Sequence, residues 1–99
     1  MEPERQERPT WTFLTNQAHV LICIAADPDV RLRDVATLVG ITERSAQIIL
    51  ADLVHAGYVT RTRIGRRNRY EVHRDLPLRH RLERDHLIGE LLGTLESTD

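Results

Sequence analysis

Residues 35–53 read VATLVGITERSAQIILADL, and the order of small, apolar and turn-forming residues in this stretch decides the architecture. Two short helices can cross closely only where a small side chain lies between them, and Ala36 and Ala46 are suitably placed. Gly40 supplies the positive φ needed to end the first helix, as glycine lacks the Cβ that opposes it. Ile41 follows as an apolar anchor. Thr42 then caps a helix expected from Glu43 to Ala56, ended by Gly57. At 100° per residue, Ala46, Ile49, Leu50 and Leu53 fall on one face of that helix. Arg44, Gln47, Ile48, Ala51 and His55 fall on the other.

Upstream, Thr15 or Asn16 is a suitable N-cap for a helix carrying Ala18, Leu21, Ile22 and Ala25 at i, i+3, i+4, i+7 spacing. Asp27-Pro28-Asp29 stops it. Val30-Arg31-Leu32 is long enough for only a small strand. Asp34 or a neighbour can cap the helix closed by Gly40. Residues 1–10, MEPERQERPT, are polar and read as a flexible arm, with WTFL folding back onto the core. Downstream, YVTRTR and RYEVH read as strands joined across IGRRN, where Gly65 and Asn68 tolerate positive φ. Val59 shares parity with Arg61 and Arg63, so strict alternation puts an apolar residue on the arginine face; a bulge near Thr60 would relieve this. A last helix is expected from about His80 to Leu95, with Leu87, Ile88, Leu91, Leu92 and Leu95 as its stripe and Gly89 and Gly93 on the far side. The domain expectation is an arm over 1–10, a core domain over 11–76 and a C-terminal helix within 77–99.

The charge is unevenly distributed. The 99 residues carry a formal net charge of −1, yet the segments Met1–Thr60, Arg61–Arg81 and Leu82–Asp99 carry −3, +6 and −4. A localised basic band is the electrostatic footprint of a polyanion binder even in a near-neutral chain. All fourteen basic residues are arginine, whose planar fork suits bidentate contacts to phosphate and guanine. The lone Cys23 excludes an intramolecular disulfide and fits a reducing compartment. No apolar run approaches the roughly 20 residues of a membrane span and no signal peptide is recognisable, so a cytoplasmic location without membrane partners is expected.

The pattern from Val35 to Leu53 resembles the helix-turn-helix of bacterial regulators. With the preceding helix and the GYVTRTRIGRRNRYEV hairpin, the span from Thr15 to His73 resembles a winged helix of the MarR and ArsR transcription-factor superfamilies. The resemblance implies an α+β winged helix-turn-helix: a three-helix core, a two-stranded wing and an extra C-terminal helix. It further implies a repressor-like regulator that binds double-stranded DNA as a homodimer. The helix from Thr42 would enter the major groove. Arg44 would be suited to guanine and Gln47 to adenine, Ile48 could meet a thymine methyl, and Thr42 and Ser45 would bind phosphate. Arg61, Arg63, Arg66, Arg67 and Arg69, with Asn68 at the turn, would hold the phosphate backbone or reach the minor groove. Relatives often carry a basic residue where this chain has Ile48. Dimerisation would use the Leu87–Leu95 stripe, with Trp11 and Phe13; the alternative is that the stripe packs on its own domain.

Catalysis lacks a motif: there is no Gly-x-Ser-x-Gly, phosphate loop or paired-carboxylate cleft, and no cofactor is expected. His80 and Glu83, and His86 and Glu90, could share helix faces. The Cys-x-Cys and Asp-x-His patterns of metal-sensing ArsR proteins are absent, so no metal site is assigned. With no separate ligand domain, a small-molecule effector would have to bind at the dimer interface or beneath the wing. A winged helix used purely for protein–protein interaction is the competing reading, and the arginine-rich hairpin argues against it.

Overall fold

The computed structural model describes residues 9–96. Three helices lead into a two-stranded hairpin and a final short helix: α1 (Asn16–Ala26), α2 (Leu32–Val39), α3 (Glu43–His55), β1 (Val59–Ile64), β2 (Arg67–Val72) and α4 (Ile88–Leu95). This is an α+β chain with a winged-helix layout. Most of the arm expected over residues 1–10 lies outside the described residues. Among the described residues, no helix is long and apolar enough to cross a membrane.

Local chemistry sets the helix ends. Thr15 caps α1 by accepting a hydrogen bond from the Ala18 N–H, 3.2 Å away. Thr42 does the same for α3 from the Ser45 N–H at 3.0 Å. Gly40 ends α2 in the left-handed region, with φ 89°. Asp34 does not cap α2; the cap position is Arg31, without a side-chain bond, and Asp34 sits in the first turn. There its charge complements the helix dipole.

The inner faces meet in one core. Ala36 and Ala46 are buried at the α2–α3 crossing, as the spacing requires. Ile49, Leu50 and Leu53 of α3 join Val20, Leu21 and Ile24 of α1. The α1 stripe is therefore turned from the expected one: Ala18, Ile22 and Ala25 are only half-buried, because α1 packs on both α2 and α3. Cys23 is half-buried beside this stripe, and desolvation pushes its thiol pKa up. That suppresses the thiolate and suits a packing role.

The hairpin is regular. Its register runs from Val59 opposite Val72 to Ile64 opposite Arg67, without a bulge at Thr60. The turn is the two residues Gly65 and Arg66, with Gly65 at φ 62°, as expected where glycine takes the first place of a tight hairpin turn. Asn68 is not a turn residue; it pairs with Arg63 in the strands. Val59 and the arginines do share a face, and no bulge is needed because the hairpin outruns the core. Val59 is buried at its base and Tyr70 is buried on the partner strand, whereas Arg61, directly opposite Tyr70, and Arg63, further out, are exposed to solvent. Val30–Leu32 forms no strand, although the Tyr70 N–H donates to the Pro28 carbonyl at 2.9 Å and seats β2 on this connection.

The final helix is half the expected length. Residues 79–86 form turns, closed by bonds from Glu83 N–H to His80 O (2.8 Å) and His86 N–H to Glu83 O (2.9 Å). A helix extended toward His80 would present His80, Arg81 and Arg84 at the positions that continue the apolar stripe, so no packing energy would support it. The helix starts where the stripe starts, and Glu90 Oε2 accepts from the Leu87 N–H at 3.2 Å. His86 and Glu90 share a 2.7 Å contact on the exposed surface. The carboxylate raises the imidazole pKa, and the imidazole lowers that of the carboxyl. Ile88 and Leu92 are buried in the same core as α1 and α3. The C-terminal stripe thus packs on its own domain at these two positions.

Gly89 is not on an open face. Its N–H donates to the Arg74 carbonyl at 2.9 Å. A Cβ there would lie 2.8 Å from both that oxygen and the Arg74 Cβ, whereas a Cβ at Gly93 meets nothing within 4 Å. The two substitutions should therefore act in opposite directions. Gly89→Ala is expected to lower stability by about 1–3 kcal/mol through forced separation of α4 from residues 74–76, and Gly93→Ala to raise it by up to about 1 kcal/mol through helix propensity. Chemical denaturation of the two variants checks this.

Candidate nucleic-acid interface

The outer face of α3 is the first component. Arg44, Gln47, Ile48, Ala51 and His55 are exposed, because the inner positions of the same helix are held by the core. Ile48 is 54% exposed. Thr42 and Ser45 are tied together: Thr42 Oγ1 accepts from the Ser45 N–H and donates to Ser45 Oγ at 3.0 Å. The Thr42 hydroxyl is committed to capping, while the Ser45 hydroxyl retains a proton to donate.

The wing is the second component. Its arginines divide into three groups. Arg67 Nη2 donates to the Asp29 carbonyl at 2.8 Å, and Arg69 Nε lies 3.6 Å from Asp29 Oδ1. Together with the Tyr70–Pro28 bond, these contacts brace the hairpin against the α1–α2 connection. Arg69 is on the strand face opposite Arg61, together with Thr62, Arg67 and Glu71, and it does not line the groove between α3 and the wing. Arg63 Nε donates to the Gly65 carbonyl at 3.0 Å and stiffens the turn. Arg61 and Arg66 make no side-chain hydrogen bond or ion pair with the described residues, leaving both guanidinium groups available.

Between α3 and the wing lies an open groove of about 790 Å3. One wall carries Glu43, Gln47 and Ala51 of α3, and the other carries Arg61, Arg66, Arg67 and Asn68. Arg44, Ser45 and Ile48 do not line it; they belong to the adjoining surface of α3. Leu50 and Tyr70 form the floor. Arg31 and Arg33, at the start of α2, also line this groove. They were missed in the sequence because the acids of residues 1–60 outweigh them in a segment total. Their signal was local: two arginines flanking Leu32 at the start of the helix that leads into Gly40.

A second, largely apolar surface is formed by the N-terminal segment and α4. Trp11 and Phe13 pack edge to face, with centroids 4.9 Å apart. They do not fold onto the core: Trp11 is 66% and Phe13 90% exposed, and only Leu14 of the WTFL segment is half-buried. Phe13, Leu14, Leu78 and Leu91 surround a second groove of about 290 Å3. Of the five stripe residues, Leu87 and Leu95 are exposed and Leu91 half-buried, whereas Ile88 and Leu92 are withdrawn into the core. Among the described residues, no group of three or more His, Cys, Asp and Glu side chains is placed to hold a metal ion. No known protein-family model matches this chain, and no curated protein matches it in sequence.

Proposed function

We propose that this protein is a sequence-specific, double-stranded DNA-binding transcriptional regulator, repressor-like and homodimeric, of the MarR/ArsR-like kind. The observation that carries the reading is the shared groove: Gln47 and Ala51 on the exposed side of α3 line the same space as Arg61 and Arg66 of the wing. A helix presenting Arg44, Gln47 and Ile48 has the donors and the apolar surface for reading base edges in a major groove. Arg61 and Arg66 have the charge and freedom for phosphate contacts that fix register without choosing sequence. Leu87, Leu91, Leu95, Trp11 and Phe13 supply the apolar surface for a second copy. Two-fold symmetry would then match a near-palindromic site with half-sites about one turn apart.

Selection of bound duplexes from a random pool, with size determination in the same buffer, tests this reading. An enriched near-palindrome and a dimer are the expected results. Absence of enrichment with a stable complex of another protein would instead establish an interaction module. On the enriched site, Arg44→Ala and Gln47→Ala should each relax preference at particular base pairs, at about 1–3 kcal/mol of lost discrimination. Binding measured across single-base variants of the site reads this directly.

A further inference from the structure

We propose that Arg31 and Arg33, on a third side of the α3–wing groove, and the wing arginines form the two walls of a phosphate clamp that grips one DNA strand's backbone. The proposal rests on the DNA-binding reading above and adds to it two residues and a geometry. Arg31, Arg33, Arg61, Arg66 and Arg67 line one groove in which Glu43 is the only acid, among the described residues. Arg31 and Arg33 make no side-chain hydrogen bond or ion pair with the described residues, like Arg61 and Arg66. Five guanidinium groups around one space repel each other unless a polyanion occupies it. Each DNA strand presents a phosphate about every 3.4 Å along the helix axis, so a strand lying in the groove offers successive phosphates to both walls.

The two walls are held at a fixed spacing. The α1–α2 connection that carries Arg31 also carries Asp29, whose carbonyl accepts from Arg67 at 2.8 Å, and Pro28, whose carbonyl accepts from the Tyr70 N–H at 2.9 Å. These bonds bring the wing to the segment that bears Arg31, and such prior ordering lowers the cost of binding. Gln47 lines the same groove. A backbone held there therefore sets the distance from the gripped strand to the base-reading side of α3.

The test is fluorescence anisotropy of the full chain with a labelled mixed-sequence duplex about 30 base pairs long, enough for two half-sites one turn apart, across a salt series. The variants are Arg31→Ala with Arg33→Ala, and Arg31→Lys with Arg33→Lys. All these side chains are at the surface, and thermal melting of each variant verifies the fold. At about 0.9 per phosphate, the alanine pair should flatten the salt slope by about 1.8 per chain and weaken binding at 0.15 M salt roughly 30-fold per chain, so by about 3.6 and roughly 900-fold for the dimer. The loss should be alike on the selected site and on scrambled duplex, and the lysine pair should restore most of the slope. Wild-type binding with an unchanged slope in the alanine pair would overturn the clamp while leaving the DNA reading intact. A loss confined to one base position would make these arginines base readers and also overturn it. Failure of the wild-type chain to bind any duplex, or its preference for single strands, would overturn both the clamp and the reading beneath it.

Discussion

Leu50→Ala is expected to cost about 3 kcal/mol of folding stability, within the range of roughly 2–5 typical for buried leucine truncations. Leu50 is fully buried on the inner face of α3. It belongs to the cluster that joins α1, α3, the base of the wing and α4. No flexible surface chain can refill the space, since its neighbours are held by three helices and a hairpin. The midpoint of thermal unfolding should fall by roughly 12–24 °C for a domain of this size. The same residue forms the floor of the groove. The folded fraction should nevertheless keep its DNA preference, because no base-reading side chain is removed. Thermal melting followed by circular dichroism measures the first effect, and site selection below the midpoint the second.

The second large effect concerns the wing. Arg61→Ala with Arg66→Ala should weaken duplex binding roughly 30-fold per chain at 0.15 M salt, the product of two phosphate contacts at about 0.9 log units per tenfold salt. The loss should be nearly independent of sequence, as phosphate contacts carry no base information. Arg69→Ala provides the contrast. Arg69 faces Asp29 across the opposite side of the hairpin, so its removal should loosen the brace and leave the salt slope close to that of the wild type. Equilibrium titrations across a salt series distinguish the two.

The helix-turn-helix region was legible because its constraints are local. A capping threonine, a glycine at positive φ and alanines at a crossing each act within a few residues. The same period that buried Ala46, Ile49, Leu50 and Leu53 left Arg44, Gln47 and Ile48 outside, and the fold preserved that division. Features set by distant contacts were not legible. The short α4 follows from the apolar stripe stopping at Leu87 and from a hydrogen bond between Gly89 and Arg74, and neither a propensity nor a helical period over 80–95 contains that contact. The exposure of Trp11 and Phe13 ran against hydrophobicity, which favours folding such residues inward. In the wing, five arginines looked equivalent in a linear charge count, yet Arg67 and Arg69 are engaged with Asp29, and Arg63 with its own turn. Arg31 and Arg33 were hidden by the opposite error, since a segment total averages over residues that the fold separates.

Binding of duplex DNA by α3 and the wing together is checked by the salt dependence of wild-type binding to a labelled duplex carrying the selected site. A dimer neutralising about six to eight phosphates predicts log K falling against log salt with a slope between about −5 and −7. A slope near zero would contradict duplex binding by α3 and the wing.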